Sequence, residues 1–303
     1  MPKSEIIVMG ASAGGVEALQ ALVAGLPPDL PAALFVVLHI GKGITGRSEL
    51  PRILERAGPL RAKHPVDGEM IQHSTIYVAP PDRHLLVSAG HMHLSHGPKE
   101  NRTRPAINPL FRSAARAYDG RVAGVVLTGL LDDGVAGLAE IKRGGGMTIV
   151  QEPTTAQYPS MPLTAIRRVS PDYILPLDAI AGTIAHVAVA EHAAIEREEP
   201  MERTLTELTC PECRGPLWEE RQGSIVEYRC RVGHAYSPLA IVADHEDTVE
   251  RTLWSTVVAL EEAADIAERL APELRPEAAV AARKRREHVA AVKKILEERP
   301  ALE

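Results

Sequence analysis

The sequence predicts an α/β fold: a doubly wound, mostly parallel sheet with helices on both faces, followed by a small cysteine-bearing module and a C-terminal helical hairpin. Three observations carry this. Short Val/Ile/Leu runs with few polar interruptions recur through the first two-thirds of the chain, as strands buried on both faces require. Helical patterns alternate with them and supply the crossovers that a parallel sheet needs. Past residue 196 the composition turns charged, all three cysteines fall between residues 210 and 230, and the remainder keeps an apolar 3.6-residue spacing.

The elements follow in order. Ile6–Met9 reads as the first strand and breaks at Gly10; an Ala/Leu-rich helix begins near Gly15 and covers Ala18–Leu26. Leu34–Ile40 and Thr75–Ala79 are further strands, and His84–Ser95 alternates around Ala89-Gly90 as an appended hairpin. Ile107–Tyr118 is a helix, Val122–Thr128 a strand, Gly134–Arg143 a helix and Met147–Gln151 a strand. Tyr173-Ile174-Leu175-Pro176 and a helix from Leu177 to about Glu191 close the core, which spans residues 1–192. Glu196-Arg197-Glu198-Glu199-Pro200 marks a linker over 193–207. A cysteine module occupies 208–238 around a Trp218–Tyr228 hairpin pattern. A helical tail occupies 239–303, with helices over Leu239–Leu270 and Glu277–Glu298 separated by Pro272 and Pro276.

The totals exclude several classes of function. A length of 303 residues allows one sizeable core and something smaller. A net charge of -6 and a pI near 6.1 argue against a general nucleic-acid binder. No apolar run approaches a membrane span, and Met1-Pro2-Lys3-Ser4-Glu5 enters a strand without a signal-peptide pattern. A cytoplasmic protein without direct membrane insertion is expected.

Chemistry concentrates at the strand ends. Gly10-x-Ser12-x-Gly14 matches the nucleophile elbow, in which small residues let a sharp turn project a serine above the sheet. The same turn type also cradles phosphates, and it occurs as a plain Gly/Ser turn. His39 ends the second strand, where sites form in open parallel sheets; the alternative is a strand-capping histidine in contact with solvent. Val122–Thr128 runs into Gly129-Leu130-Leu131-Asp132-Asp133-Gly134, so one aspartate is available to cap a helix and the other to orient His39. Dinucleotide binding is disfavoured, because Ser12 stands at the second glycine position and no acid ends the second strand.

Gly10-Ala11-Ser12-x-Gly14-Gly15, the strand-terminal His39, Arg104-Pro105-Ala106-Ile107-Asn108-Pro109-Leu110-Phe111 and Thr128-Gly129-x-x-x-Asp133-Gly134 together resemble the catalytic domain of the bacterial chemotaxis protein-glutamate methylesterases. The resemblance covers roughly residues 5 to 190 and extends to Met161-Pro162. It implies that Ser12, His39 and Asp133 form a catalytic triad that hydrolyses methyl esters on receptor glutamates. It also implies glutamine deamidation by the same acyl chemistry, and no cofactor for catalysis. The implied partner is a methylated chemoreceptor-like protein. Arg104 is read either as steering an acidic substrate helix or as a surface ion pair. The chain departs from the family pattern at Ala13, Leu130, Leu131 and Asn108, where the family carries Thr, Met, Gly and commonly Asp. Leu131 bears on the loop shape and hence on the rate. The family's receiver domain has no counterpart before the first strand, so regulation is expected from a separate polypeptide or from the C-terminal part.

Cys210-Pro211-Glu212-Cys213 and Cys230-Arg231-Val232-Gly233-His234 give C-x-x-C and C-x-x-x-H, which predict a structural zinc held by Cys210, Cys213, Cys230 and His234. A redox C-x-x-C would leave Cys230 and His234 without a role. His91, His93 and His96 read as solvated hairpin histidines, and Arg283-Lys284-Arg285-Arg286 as a solvated helix face. Two rivals to the methylesterase reading are a signalling scaffold that binds partners through its C-terminal part and an esterase for small molecules.

Overall fold

The computed structural model describes residues 5–39, 48–190, 200–274 and 277–298, the side chains of 270–274 and 277–278 excepted. The chain divides into two compact units, Met1–Ala240 and Ile241–Glu303. Within the first, β1 (Ile6–Ala11) is followed by α1 (Gly15–Ala24), β2 (Ala33–Leu38), α2 (Leu50–Ala57), β3 (Arg61–Lys63) and β4 (Thr75–Val78). A hairpin of β5 (His84–Ser88) and β6 (His91–Ser95) leads to α3 (Ile107–Tyr118), β7 (Val122–Val126), α4 (Val135–Arg143) and β8 (Met147–Gln151). Then come α5 (Ser160–Val169), β9 (Tyr173–Leu175) and α6 (Leu177–Val189).

Seven strands form one sheet in the order β3-β4-β2-β1-β7-β8-β9, and every pairing in it is parallel. β1 lies in the middle and is buried along its whole length, which explains its unbroken apolar sequence. Alternate residues serve opposite faces. Ile7 and Met9 pack with Leu19, Leu22, Leu54 and Ile184, from α1, α2 and α6. Ile6 and Val8 pack with Phe111, Leu138, Ala165 and Leu85, from α3, α4, α5 and the hairpin. Phe35 and Tyr77 stack at 5.3 Å between ring centres on this second face.

After β2 the chain fills one side of β1, with β3 at the edge and β4 between β3 and β2; with β7 it crosses to the other. The carboxyl ends of β1, β2 and β7 therefore flank the topological switch point, where open α/β sheets place their sites.

Residues 200–240 build a second, antiparallel sheet in the order β10 (Glu202–Thr209), β11 (Pro216–Gln222), β12 (Ile225–Cys230) and β13 (Ala235–Tyr236). β10 begins inside the stretch 193–207 that the charge run marks as a linker. Its residues are mostly exposed and polar, so pairing with β11 makes the strand where composition does not announce one. The run Glu196–Glu199, like Ile40 at the predicted end of the second strand, lies outside the described residues.

α7 (Pro238–Leu274) starts at the end of the first unit and continues two residues past Pro272. In the second unit, Arg286 of α8 (Glu277–Glu297) donates to Glu268 at 2.8 and 2.9 Å and to Asp265 at 2.9 Å, and Lys293 donates to Glu261 at 2.8 Å. Val257, Ala264, Ala282 and Val289 are buried within this unit. Arg286 is exposed, on the solvated face that the basic run predicts, and makes these pairs at the surface. Among the described residues no helix is long and apolar enough to cross a membrane.

Candidate active site and metal centre

Ser12 sits one residue beyond β1, at the tip of the strand–turn–helix that its small neighbours permit. The ladders run on past the strand ends and fix it there: Ser12 N–H donates to Thr128 O at 3.0 Å, and His39 N–H donates to Ala11 O at 3.2 Å. Gly14 takes φ 71, a left-handed conformation that turns the chain into α1. Gly129, in the loop after β7, must be glycine for a different reason. A Cβ there would lie 2.9 Å from Ser12 Cβ and 2.7 Å from Met161 Cε. Gly129 also donates to Tyr158 O at 2.9 Å and accepts from Met161 N–H at 3.0 Å, while Thr128 Oγ1 donates to Ala13 O at 3.0 Å. Loops after three strands are thereby joined around the serine.

His39 Nε2 donates to Asp133 Oδ2 at 2.8 Å across 94 residues of sequence. The ring is turned so that Nε2, and not the more usual Nδ1, faces the acid. A neutral His39 with its proton on Nε2 carries its basic lone pair on Nδ1. Thr103 Oγ1 lies 3.3 Å from the same Nε2.

Asp133 is buried and receives four further donors: Asn101 Nδ2 at 2.8 Å and the N–H groups of Ile107 at 2.6 Å, Gly134 at 2.9 Å and Asn108 at 3.3 Å. Burial by itself pushes its carboxyl up. The bond and charge of His39, with the Ile107 and Asn101 bonds, outweigh that and hold its pKa below the ordinary aspartate value. The neighbouring Asp132 goes the other way. Burial raises it to about 6, the Asp133 charge adds to this, and a hydrogen bond from Ser237 Oγ opposes it.

Of the two roles open to the aspartates, Asp133 takes the histidine. It also accepts from Gly134 N–H ahead of α4, whose start has no side-chain cap, while Asp132 binds Ser237. Arg104 is committed to the loops. It donates to Asp82 Oδ1 at 2.8 and 3.0 Å, and to the carbonyls of Gly97 at 2.7 Å and His96 at 3.2 Å, beside the cis Arg104–Pro105 bond. Asn108, buried, accepts from Gly137 N–H at 2.9 Å. Leu131 sits at φ 60, which a glycine would occupy without strain. Asn101, Thr103 and Ser237 escape a reading of the sequence, since none lies in a strand-end motif; the positive φ of Asn101, 46°, is visible only in three dimensions.

The four predicted metal ligands converge. Their donor atoms lie within 4.8 Å of one another. Cys210 Sγ and Cys230 Sγ stand 3.7 and 3.5 Å from His234 Nδ1, and Cys213 Sγ stands 3.6 Å from Cys230 Sγ. A tetrahedral zinc with bonds of about 2.3 Å to sulfur and about 2.0 Å to nitrogen requires ligand separations of roughly 3.5–3.8 Å, so the donor set fits the ion. All three cysteines are free, and a sulfur separation of 3.6 Å is no disulfide. Tight turns present each pair: Arg214 N–H donates to Cys210 O, and Gly233 N–H donates to Cys230 O.

Comparison with known proteins bears on the first two-thirds of the chain. The CheB methylesterase family model matches residues 7–184. The chain is 37% identical over 190 residues to a Methanosarcina mazei protein named protein-glutamate methylesterase/protein-glutamine glutaminase 2, covering 60% of this chain and 51% of that protein. It is 40% identical over 178 residues to a putative protein-glutamate methylesterase/protein-glutamine glutaminase of Leptospira interrogans, covering 58% of this chain and 91% of that protein. It thus spans about half the length of several curated relatives, such as the Methanosarcina mazei protein, and nearly all of a shorter one. Among solved structures, the Thermotoga maritima CheB methylesterase catalytic domain superposes with a TM-score of 0.57 at 31% identity, covering 62% of this chain and 99% of that domain.

Proposed function

The chain belongs to the CheB methylesterase family, and on that footing we propose that it is a serine hydrolase removing methyl esters from glutamates of a chemoreceptor-type signalling protein. The observation that carries this is the bond between His39 and a buried, charged Asp133 at the strand-end crevice that also holds Ser12. Five donors offset the cost of burying that carboxylate, and the charge they hold in place is positioned to stabilise a developing imidazolium.

In the proposed reaction Ser12 Oγ attacks the ester carbonyl carbon while His39 Nδ1 takes the hydroxyl proton. Methoxide leaves with that proton as methanol, forming an acyl-serine. His39 then deprotonates a water, which releases the glutamate carboxylate and restores Ser12. The dipole at the start of α1, three residues beyond Ser12, favours the oxyanion, aided by backbone N–H groups of the turn. Deamidation of glutamine follows the same steps with ammonia leaving. The reaction belongs in the cytoplasm, and separate regulation remains part of the reading.

We assign the Cys210, Cys213, Cys230 and His234 set to a structural zinc. With four protein ligands it has no open position, so it would supply folding energy to the β10–β13 module and no chemistry to the ester. The ion pairs of α8 with α7 support a helical hairpin for the tail.

The test is methanol release from methylated receptor cytoplasmic fragments. Wild type should release methanol and Ser12→Ala should fall to background, a loss of at least about 10³-fold. Equal release from both proteins rules the reading out.

A further inference from the structure

We propose that Asn101 is a positioning residue through which the Cys/His metal site governs the His39–Asp133 pair, so that metal loading of the β10–β13 module sets the reactivity of Ser12. This rests on the serine-hydrolase reading above and names a regulation of that site.

Residues 99–104 are gripped from two sides. Toward the active site, Asn101 Nδ2 donates to Asp133 Oδ1 at 2.8 Å and Thr103 Oγ1 lies 3.3 Å from His39 Nε2. Toward the module, Asn101 N–H donates to Ala235 O at 2.8 Å, and Ser237 N–H donates to Asn101 Oδ1 at 2.7 Å. Ala235 N–H donates to Lys99 O at 3.4 Å, and Lys99 pairs with Glu212 between the first two cysteines. Ala235 directly follows the ligand His234, whose carbonyl accepts from the N–H of the ligand Cys230 at 3.0 Å.

One amide side chain therefore spans the gap. Its nitrogen holds the aspartate and its oxygen is held by the strand leaving the metal site. Asn101 is buried, and its φ of 46° is sparsely populated for a residue with a Cβ, so its surroundings impose the conformation. Those surroundings are largely β13. This strand has two residues and pairs with β12 only through Tyr228–Tyr236 and Arg229–Ala235. The burial of Tyr236 anchors its far end, and the turn Cys230–His234, closed by a metal, would fix where it starts. Releasing the metal frees β13, and Asn101 then loses its acceptor-side partner and the constraint on its backbone. Asp133 keeps its other donors, so the effect is misalignment of His39 and not loss of charge.

The experiment uses the full chain, loaded with zinc or stripped by a chelator. It measures metal content, circular dichroism and the second-order rate at which a fluorophosphonate labels Ser12, with kcat and KM for a methyl ester alongside. Stripping should slow wild-type labelling at least tenfold with the helical signal retained, and added zinc should restore it. Asn101→Ala should be slow while still binding one zinc, with kcat lowered and KM unchanged, and stripping it should slow it no further. Labelling within twofold after stripping, equal sensitivity of Asn101→Ala to stripping, or slowing only when the helical signal collapses would each overturn the coupling. A wild type that takes no more label than Ser12→Ala overturns the serine reading itself, and the coupling with it.

Discussion

Asp133 and Asp132 are adjacent in sequence and opposite in electrostatics. Asp133 is ionised because donors surround it, so its depressed pKa contributes stability above the unfolded value, lost as pH falls through the folded one. Asp133→Asn should keep the fold and cut kcat about 10³–10⁴-fold, because an amide facing Nε2 cannot stabilise the imidazolium. Asp132 has the reverse sign. The folded state holds a proton that the unfolded chain releases between the ordinary 3.8 and about 6, so stability falls as pH rises through that window. Two pH units correspond to roughly 3 kcal/mol at 1.36 kcal/mol per unit. Urea midpoints followed from pH 4 to pH 7 should fall more for wild type than for Asp132→Asn. Ser12, His39 and Asp133 were legible in the sequence because each follows its own strand within a few residues. Asn101 and Ser237 were not, because their link spans 136 residues and no local pattern encodes it.

At the scale of elements, legibility tracked burial. β1, β2, β4, β7 and β8 are buried, or nearly so, along their length, and their apolar runs announce them. β3 has three residues in an exposed–buried–exposed order, and β10 is almost wholly exposed; neither carries an apolar signal. α5 was hidden by Pro162 near its start, a position a helix tolerates because early N–H groups have no partner within it. The β10–β13 sheet buries few large side chains, chiefly Leu217 and Tyr236, so the proposed zinc would supply much of its cohesion. Cys213→Ser should therefore lower zinc affinity and open β10–β13 at a temperature where the parallel sheet is still closed. Amide exchange read by mass spectrometry would show fast exchange in residues 202–236 against continued protection of β1. Simultaneous loss of both would contradict it.

For the first compact unit as a whole, one tie between the parallel-sheet layer and the β10–β13 sheet is electrostatic. Arg112 of α3 is buried and donates to Glu100 and, at 3.2 Å, to Glu227 of β12; Glu140 of α4 lies 4.0 Å from its Nε. Burial pushes the Glu227 carboxyl up and the Arg112 charge draws it back. Removing the cation leaves two buried carboxylates with only the longer pairs to Arg229, at 3.9 and 3.6 Å, so Arg112→Ala should cost about 3–5 kcal/mol in chemical denaturation near neutral pH. The loss should shrink in acid, where the stranded groups take up protons. A loss under 1 kcal/mol would mean that water reaches these acids.

The sheet order has a consequence for how the protein comes into being. Ile6 pairs with Val122, and Asp133 meets His39 across 94 residues, so the centre is assembled from parts made early and late in synthesis. Pairings of such long sequence separation form slowly and only together with the core that supports them. A chain still being translated presents Ser12 before His39 and Asp133 can meet, so under the proposed function it should stay inert until the sheet that joins them has closed.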